Sequence, residues 1–308
     1  MAAVEFTVFK GSATGDIVES RGSRTPGPTE VSVKITHCGV CGTDQHYRHA
    51  DQGLGHEGVG TITELGSMVS TISDFKVGDR VLMGWFQQFC GRCKGCLTGR
   101  QNICDNSVAF GEANHDRGGF ATATTWDVSA LYKIPDEIDS EHAGPLVCGG
   151  ATVWQALYAY GAKAGDRVGI MGVGGLGHLA IQFADKMGME AVVLSSSETK
   201  RDEAMKFGAS EFYVTSGDHA DVEKLTGAGK LDYMLLTTSG VPDKSTYLPV
   251  LGSGLASSQN IKQMLRFAAK RGVRPQIETF PMNQKGVSDA MQKLRDGKMR
   301  YRGVVVVE

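Results

Sequence analysis

The sequence lacks an excess of charge of either sign. Its 308 residues carry 32 Lys and Arg against 34 Asp and Glu, a formal charge of −2, and no cationic run exceeds a few residues. Nucleic acid and anionic membrane surfaces are therefore not expected partners. Long apolar runs are missing too: no stretch approaches the ~18 residues that a membrane-spanning helix needs. The opening MAAVEFTVFK has no apolar core of signal-peptide length, so the expected location is the cytoplasm. There is no internal repeat and no low-complexity tract. What remains is an ordinary globular composition, 41% hydrophobic and 21% charged. The length suits two domains. The 41 glycines point to tight turns and close backbone approaches.

Seven cysteines is an odd number, and none needs a disulfide partner in a reducing compartment. Four of them form Cys90-x2-Cys93-x2-Cys96-x7-Cys104, in FCGRCKGCLTGRQNICDN. Four thiolates this close, separated by small and polar residues, can enclose one tetrahedral zinc ion in a closed structural shell. An iron–sulfur cluster also uses Cys-x2-Cys-x2-Cys, but its bacterial pattern brings the fourth Cys three residues later, followed by Pro. Here the last gap is seven and Asp105 follows, which favours zinc. Free cysteines in a loop are the plain alternative.

Along the first ~145 residues, short apolar runs such as VSVKITHCGV and DRVLMGW alternate with Gly, Pro and Asp, as expected of a β-rich domain with long loops. The texture changes near Pro145. A helical stretch leads into RVGIMGVGGLGHLAIQFADKMG, which reads as strand, glycine turn and amphipathic helix. Strands are predicted at Val168–Met171, Ala191–Leu194, Phe212–Val214 and Tyr233–Leu236, alternating with helices as in a parallel α/β sheet. A doubly wound dinucleotide fold has about six strands, and no room for two more exists between Thr238 and Asn260. The last residues read as helix, strand, helix, strand.

The segment Gly172, Val173, Gly174, Gly175, Leu176, Gly177 fits G-x-G-x-x-G in the strand–turn–helix setting that a pyrophosphate site requires. At the end of the next strand an NAD site places a carboxylate on the ribose hydroxyl. This chain has Ser195, Ser196 and Ser197 there, then Lys200 and Arg201, and hydroxyls with cations suit a 2′-phosphate. A helix cap followed by a solvated face is the alternative. A third constellation joins CGVCGTDQHYRHADQGLGHEGVG with PLVCGGATVW. A catalytic zinc takes about three protein ligands and keeps one position open. Cys41, His56 and Cys148 are candidates, with Glu57 a further, exchangeable one; taken singly, each could equally be packed core. The set would place the metal at a cleft beside the cofactor domain. Trp85, Phe86 and Trp154 either line an apolar substrate pocket there or belong to the core.

Taken in order, CGVCGTDQH, GHEGVG, the Cys90–Cys104 lobe, PLVCGGATVW and GVGGLGH resemble the zinc-dependent medium-chain alcohol dehydrogenases, and within them the cinnamyl-alcohol-dehydrogenase-like branch with a fungal texture. The resemblance implies an α/β protein: a β-rich GroES-like catalytic domain (1–147), a Rossmann-type doubly wound domain (148–257) and a return to the catalytic domain (258–308). It makes Cys41, His56, Glu57 and Cys148 the catalytic zinc ligands and leaves Cys38 structural. Thr43 becomes the hydroxyl that relays the proton, His46 the shuttle to solvent, and Asp44 the carboxylate behind the zinc histidine. Thr152 and Thr237 join the cofactor set, and SSSETK matches the NADP-selecting segment, with Ser195, Ser196 and Lys200 on the phosphate. The implied reaction is hydride transfer between NADP(H) and an aldehyde or alcohol, with zinc as Lewis acid. Two departures stand out. Gly42 replaces the His that many relatives carry, and STYLPVLGSGLASSQ replaces a longer segment that holds the last two sheet strands and part of a dimer interface. A loss there leaves an apolar sheet edge uncovered; with those strands present, a homodimer is expected. An iminium or enone reductase, and a non-catalytic nucleotide-binding relative, are the alternative functions.

Overall fold

The computed structural model describes residues 2–215, 229–238 and 253–307. The chain divides into two compact units. One comprises Met1–Cys148, Ser257–Lys270 and Gln276–Glu308; the other comprises Gly149–Ala256 and Arg271–Pro275. No helix among the described residues is long and apolar enough to cross a membrane.

The first unit opens with an antiparallel pair, β1 (Val4–Lys10) and β2 (Val18–Arg24). β3 (Glu30–Val40) runs into the short helix α1 (Gly42–His46), and β4 (Gly58–Leu65) returns antiparallel to it. Helix α2 (Val69–Ile72), β5 (Arg80–Met83), β6 (Phe86–Gln88), α3 (Lys94–Leu97) and β7 (Val108–Ala109) follow, then β8 (Ala123–Asp127), β9 (Leu131–Lys133) and α4 (Ser140–Pro145). In β3, Val31, Val33 and Ile35 are buried and Lys34 is exposed, while Ser32 is buried as well, so one face is core throughout and the other is covered at its start. The pairing with β4 slips between Ile35 and His37. After the slip the buried positions become Cys38 and Val40. An irregularity of this kind re-aims the side chains beyond it, and what lies beyond it is Cys41.

In the second unit, α5 (Ala151–Tyr158) precedes β10 (Arg167–Met171), α6 (Gly177–Lys186), β11 (Glu190–Ser195), α7 (Arg201–Lys206), β12 (Glu211–Val214) and β13 (Tyr233–Leu236). The four strands pair in parallel in the order β12-β11-β10-β13. That is the 3-2-1-4 arrangement with which a doubly wound sheet begins. Val168 to Ile170 and Ala191 to Leu194 are continuously buried, as parallel strands covered on both faces require. Of the segment expected to be shortened, residues 239–252 lie outside the described residues, and 253–257 form no regular element.

The chain then forms α8 (Ser258–Arg271), β14 (Ile277–Pro281), α9 (Gln284–Arg295) and β15 (Arg302–Val306). β15 pairs antiparallel with β3, and β14 parallel with β15. The large sheet of the first unit thereby runs β14-β15-β3-β4-β5-β9, with β8 also on β3. This closing strand brings Arg302 beside residues more than two hundred positions earlier in the chain.

Candidate active site

Cys41 is the last residue before α1, in extended geometry with φ −120° and ψ 154°. Asp44, in the first turn of that helix, is completely buried and takes three donors. Its Oδ2 accepts from the Cys41 N–H at 3.0 Å, and its Oδ1 accepts from the Gly55 N–H at 3.1 Å and from His56 Nδ1 at 2.9 Å. Gly55 itself sits at φ +86°, a conformation glycine adopts at no steric cost, and this turn presents His56 to the carboxylate. With Nδ1 committed as donor, the network assigns the lone pair of His56 to Nε2. The ring is framed by Trp85, edge-on at 5.7 Å, and by Phe110 at 5.3 Å. Tyr47 packs edge-on against Phe110 at 5.0 Å.

The ligand atoms of Cys41, His56, Glu57 and Cys148 all lie within 4.8 Å of one another. Cys148 comes from the π-helical segment Leu146–Gly150, a geometry frequent at functional sites. It belongs to the first unit, so all four groups are held by one compact body. The Cys41 and Cys148 sulfurs are 3.7 Å apart, and both cysteines are free. A disulfide would bring them to about 2.05 Å. Two sulfurs each ~2.3 Å from one ion at a tetrahedral angle stand roughly 3.8 Å apart, so the pair fits zinc. The hydrogen bond shared by the two thiols holds Cys41 well below the usual thiol range and pushes Cys148 up. Burial pushes His56 down, but the Asp44 charge and hydrogen bond outweigh it and hold the imidazole well above its ordinary value.

Glu57 is fully buried and shares the site with a residue that no sequence motif announced. Arg302 Nη2 donates to Glu57 Oε1, and the Arg302 residue is only 7% exposed. Burial pushes Glu57 up to about 7, against the pull of Arg302. Its other oxygen, Oε2, is buried with no hydrogen-bond partner among the described residues. Oε2 lies against Gly39, where any Cβ would overlap it. An unsatisfied carboxylate oxygen next to two sulfurs and an imidazole suits a cation. The signal that could have found Arg302 is its place in YRGVVVVE: a lone charge opening an apolar strand must meet a countercharge or be excluded from the core.

Thr43 Oγ1 is 3.7 Å from Cys41 Sγ. His46 is exposed at the end of α1, and among the described residues no hydrogen bond joins it to Thr43. Between them, Gln45 Nε2 donates to Met291 O at 2.7 Å and ties α1 to α9. Gly42 faces open space. The three aromatics proposed for one pocket separate. Trp85 stands at His56, Phe86 packs on Phe89 near the cysteine lobe at 4.8 Å, and Trp154 is buried in the second unit against Tyr158 and Phe183.

In the lobe, Cys90, Cys93, Cys96 and Cys104 also bring their sulfurs within 4.8 Å of one another and pack against the first unit's core. Cys90 Sγ is 4.0 Å from Cys96 Sγ and 3.5 Å from Cys104 Sγ. The backbone N–H groups of Arg92 and Cys93 pull Cys90 down to about 6, and the Cys96 N–H lowers Cys93, whereas burial pushes Cys96 up to about 12. Four sulfurs this close ionise together only around a cation, and a four-thiolate shell fits structural zinc.

In the second unit, Gly172 takes φ +94° at the end of β10. A Cβ on Gly177 would overlap the Gly172 carbonyl, while one on Gly174 would meet nothing within 4 Å among the described residues. The turn therefore needs its first and third glycines for close packing and leaves the second facing open space, as a pyrophosphate requires. Gly175 and Leu176 complete the turn ahead of α6. Thr237 Oγ1 donates to Met171 O at 2.8 Å and Gly172 O at 3.1 Å, so it braces the turn from within. Thr152 is half-buried on α5. Ser195 is buried at the end of β11, and Ser196 and Ser197 are exposed. Lys200 Nζ reaches back to Val173 O at 2.7 Å. Arg201 pairs with Glu198 and lies over the Phe212 ring at 4.7 Å. Local spacing puts Arg201 beside Lys200, and the fold brings Phe212 under its guanidinium.

Models of the alcohol dehydrogenase GroES-like domain and of the zinc-binding dehydrogenase family match residues 27–136 and 175–254. The chain is 33% identical to a probable formaldehyde dehydrogenase of Bacillus subtilis (strain 168), over 94% of this chain and 92% of that one. That alignment spans 333 positions against a chain of 308, so the relative carries residues with no counterpart here. A cinnamyl alcohol dehydrogenase of Sorghum bicolor superposes with a TM-score of 0.86 at 29% identity over 98% of both chains. The Helicobacter pylori CAD, solved with NADP(H), superposes with a TM-score of 0.80 at 25% identity, over 99% of this chain and 98% of that one.

Proposed function

Since the chain belongs to the zinc-binding medium-chain alcohol dehydrogenases, in their cinnamyl-alcohol-dehydrogenase-like branch, we propose that it is an NADP(H)-dependent enzyme that reduces aromatic or conjugated aldehydes to primary alcohols. The observation that carries this reading is the convergence of Cys41, His56, Glu57 and Cys148 around one point, with Asp44 behind His56. These residues hold one zinc and Cys90, Cys93, Cys96 and Cys104 a second. When bound, the catalytic zinc supplies Lewis acidity to the substrate oxygen, and NADP(H) supplies or accepts hydride.

The chain's own residues do the rest. Asp44 fixes the tautomer and direction of His56, so the imidazole presents a lone pair without reorganising. Arg302 holds Glu57 Oε1 and opposes the burial that raises its carboxyl, while Oε2 stays towards the other ligand groups as an exchangeable ligand that substrate can replace. The Thr43 hydroxyl, next to Cys41, both accepts and donates, so it passes a proton between the substrate oxygen and the solvent side of α1, where His46 stands. Trp85, half-buried and edge-on to His56, offers a flat apolar wall, which supports a conjugated substrate.

For the cofactor, the supporting feature is what stands after β11. Hydroxyls of Ser195, Ser196 and Ser197 occupy the place of a carboxylate, and Lys200 is within reach of the same turn. The nearest carboxylate, Glu198, is neutralised by Arg201. A panel of aromatic and aliphatic aldehydes assayed with NADPH and with NADH, beside metal analysis of the purified protein, tests the proposal. The expected result is NADPH-dependent reduction and two zinc ions per chain. Failure to oxidise NADPH with every aldehyde, or iron in place of zinc, overturns it.

A further inference from the structure

We propose that His178 is a positioning residue for the cofactor: its imidazole fixes the Gly174–Gly175 peptide so that the Gly175 N–H faces the pyrophosphate. The inference rests on the dinucleotide reading of the second unit and adds a residue to it. His178 follows the third glycine directly and is completely buried on α6. Packing alone would be served by an aliphatic side chain there. Instead, His178 Nδ1 lies 3.0 Å from Gly174 O, and the His178 backbone N–H donates to the same oxygen at 3.1 Å. A carbonyl only accepts, so Nδ1 carries the hydrogen, and both lone pairs of the Gly174 oxygen are engaged.

The consequence follows from peptide geometry. In a planar trans peptide the C=O of one residue and the N–H of the next point in opposite directions. Holding the Gly174 carbonyl inward therefore turns the Gly175 N–H outward, to the side where a Cβ on Gly174 meets nothing within 4 Å. The same device recurs along the turn. Gly172 O accepts from Thr237 Oγ1 at 3.1 Å and Val173 O from Lys200 Nζ at 2.7 Å. Side chains from three separate parts of the unit thus approach three successive carbonyls, the Thr237 hydroxyl shared with Met171 O, and by the same peptide geometry the N–H groups that follow these carbonyls point away from them. Donors oriented in advance do not have to be ordered when an anion binds. The ring is itself held in place: Phe207 lies edge-on at 5.6 Å, and Gln182, one turn further, locks α6 by exchanging hydrogen bonds with Arg274 at 2.9 and 3.1 Å.

The test is titration of NADPH and of 2′-AMP, which has the adenosine phosphate but no pyrophosphate, into wild type, His178→Leu and His178→Asn. Loss of one buried hydrogen bond is expected to weaken NADPH about five- to tenfold in His178→Leu, with 2′-AMP binding and kcat at saturating NADPH unchanged. His178→Asn keeps a donor one turn from Gly174 O and is expected to recover most of the loss. Equal NADPH affinity in His178→Leu and wild type overturns the proposal, as does parallel weakening of both ligands, which marks a general structural defect. If His178→Leu does not fold, His178→Ala carries the same expectations. A wild type that binds 2′-AMP but not NADPH, or neither, overturns the dinucleotide reading itself, whatever the variants do.

Discussion

Asp44→Asn isolates the work of a single carboxylate oxygen. The two oxygens of Asp44 accept from three donors: Cys41 N–H on one side, Gly55 N–H and His56 Nδ1 on the other. Asparagine keeps one acceptor and replaces the other with an N–H donor. In one orientation its oxygen serves Gly55 and His56, and the amide opposes the Cys41 N–H, donor against donor, at the residue that carries a ligand sulfur. In the other orientation the amide faces Gly55 and forces His56 Nδ1 to accept, which moves the proton to Nε2 and removes the lone pair that a metal needs. Neither arrangement keeps both the helix start and the imidazole in place. Carboxylates that orient a metal-binding histidine typically contribute about 10–100-fold to metal affinity, which corresponds to ~1.4–2.7 kcal/mol. The expected outcome is that loss in zinc affinity at the Cys41 site, with activity restored by added zinc. The cysteine lobe should keep its zinc, since no Asp44 contact reaches it. Competition with a chromophoric chelator, resolved into two binding steps, measures both sites. Zinc affinity within about twofold of wild type at the Cys41 site, well short of the expected ~10–100-fold loss, refutes the reasoning; so does equal loss from both sites.

Thr43→Ala should lower kcat by ~10²-fold or more while leaving the NADPH Kd unchanged, because a general acid–base step loses its carrier; stopped-flow turnover with a good aldehyde checks it, and near-normal turnover removes Thr43 from the proton path. Lys200→Ala should raise the NADPH KM about tenfold, the low end for a charge-assisted bond, because Lys200 must give up Val173 O to reach a phosphate; NADH kinetics should not change, and Ser195→Asp should reverse the preference. Cys93→Ser should release one zinc and lower the unfolding temperature, since a structural site contributes folding energy; unchanged zinc content by elemental analysis would count against the lobe as a metal site. Arg302→Met should cost ~3–5 kcal/mol in urea denaturation, as expected for stranding a buried charge, and the Arg302→Met/Glu57→Gln double variant should cost less than the sum of its single changes; strict additivity would show that the pair is not coupled.

The parts of the molecule that were legible in the sequence are those whose chemistry is local. The lobe is one: Cys90, Cys93, Cys96 and Cys104 are close enough in the chain that spacing alone brings four sulfurs together. The cofactor turn is another, because strand, glycines and helix follow one another without interruption. The run VSVKITHCGV was readable as strand material, but the slip before His37 was not. Register belongs to the pairing of β3 with β4 rather than to either strand. Arg201 read as a cation for a phosphate because it stands next to Lys200; whether a surface charge is available depends on what lies across from it, here Glu198 and Phe212.

The sequence by itself determined the classes of group present: a closely spaced set of four cysteines, a glycine turn of the type that takes a phosphate, further cysteines, a histidine and a glutamate of the kinds that bind metal, and a loop of hydroxyls where a carboxylate could have stood. Residue type and short spacing are properties of the chain, and they persist whatever the chain packs against. Only the tertiary structure decided which groups act on one another. It placed Arg302 of the closing strand on Glu57 and tied α1 to α9 through Gln45. Burial is the physical reason. A guanidinium, an amide or an imidazole in water finds a partner anywhere, but once desolvated it must be paired by whatever the fold brings within about 3 Å, and that partner is set by strand order and helix packing rather than by distance along the chain.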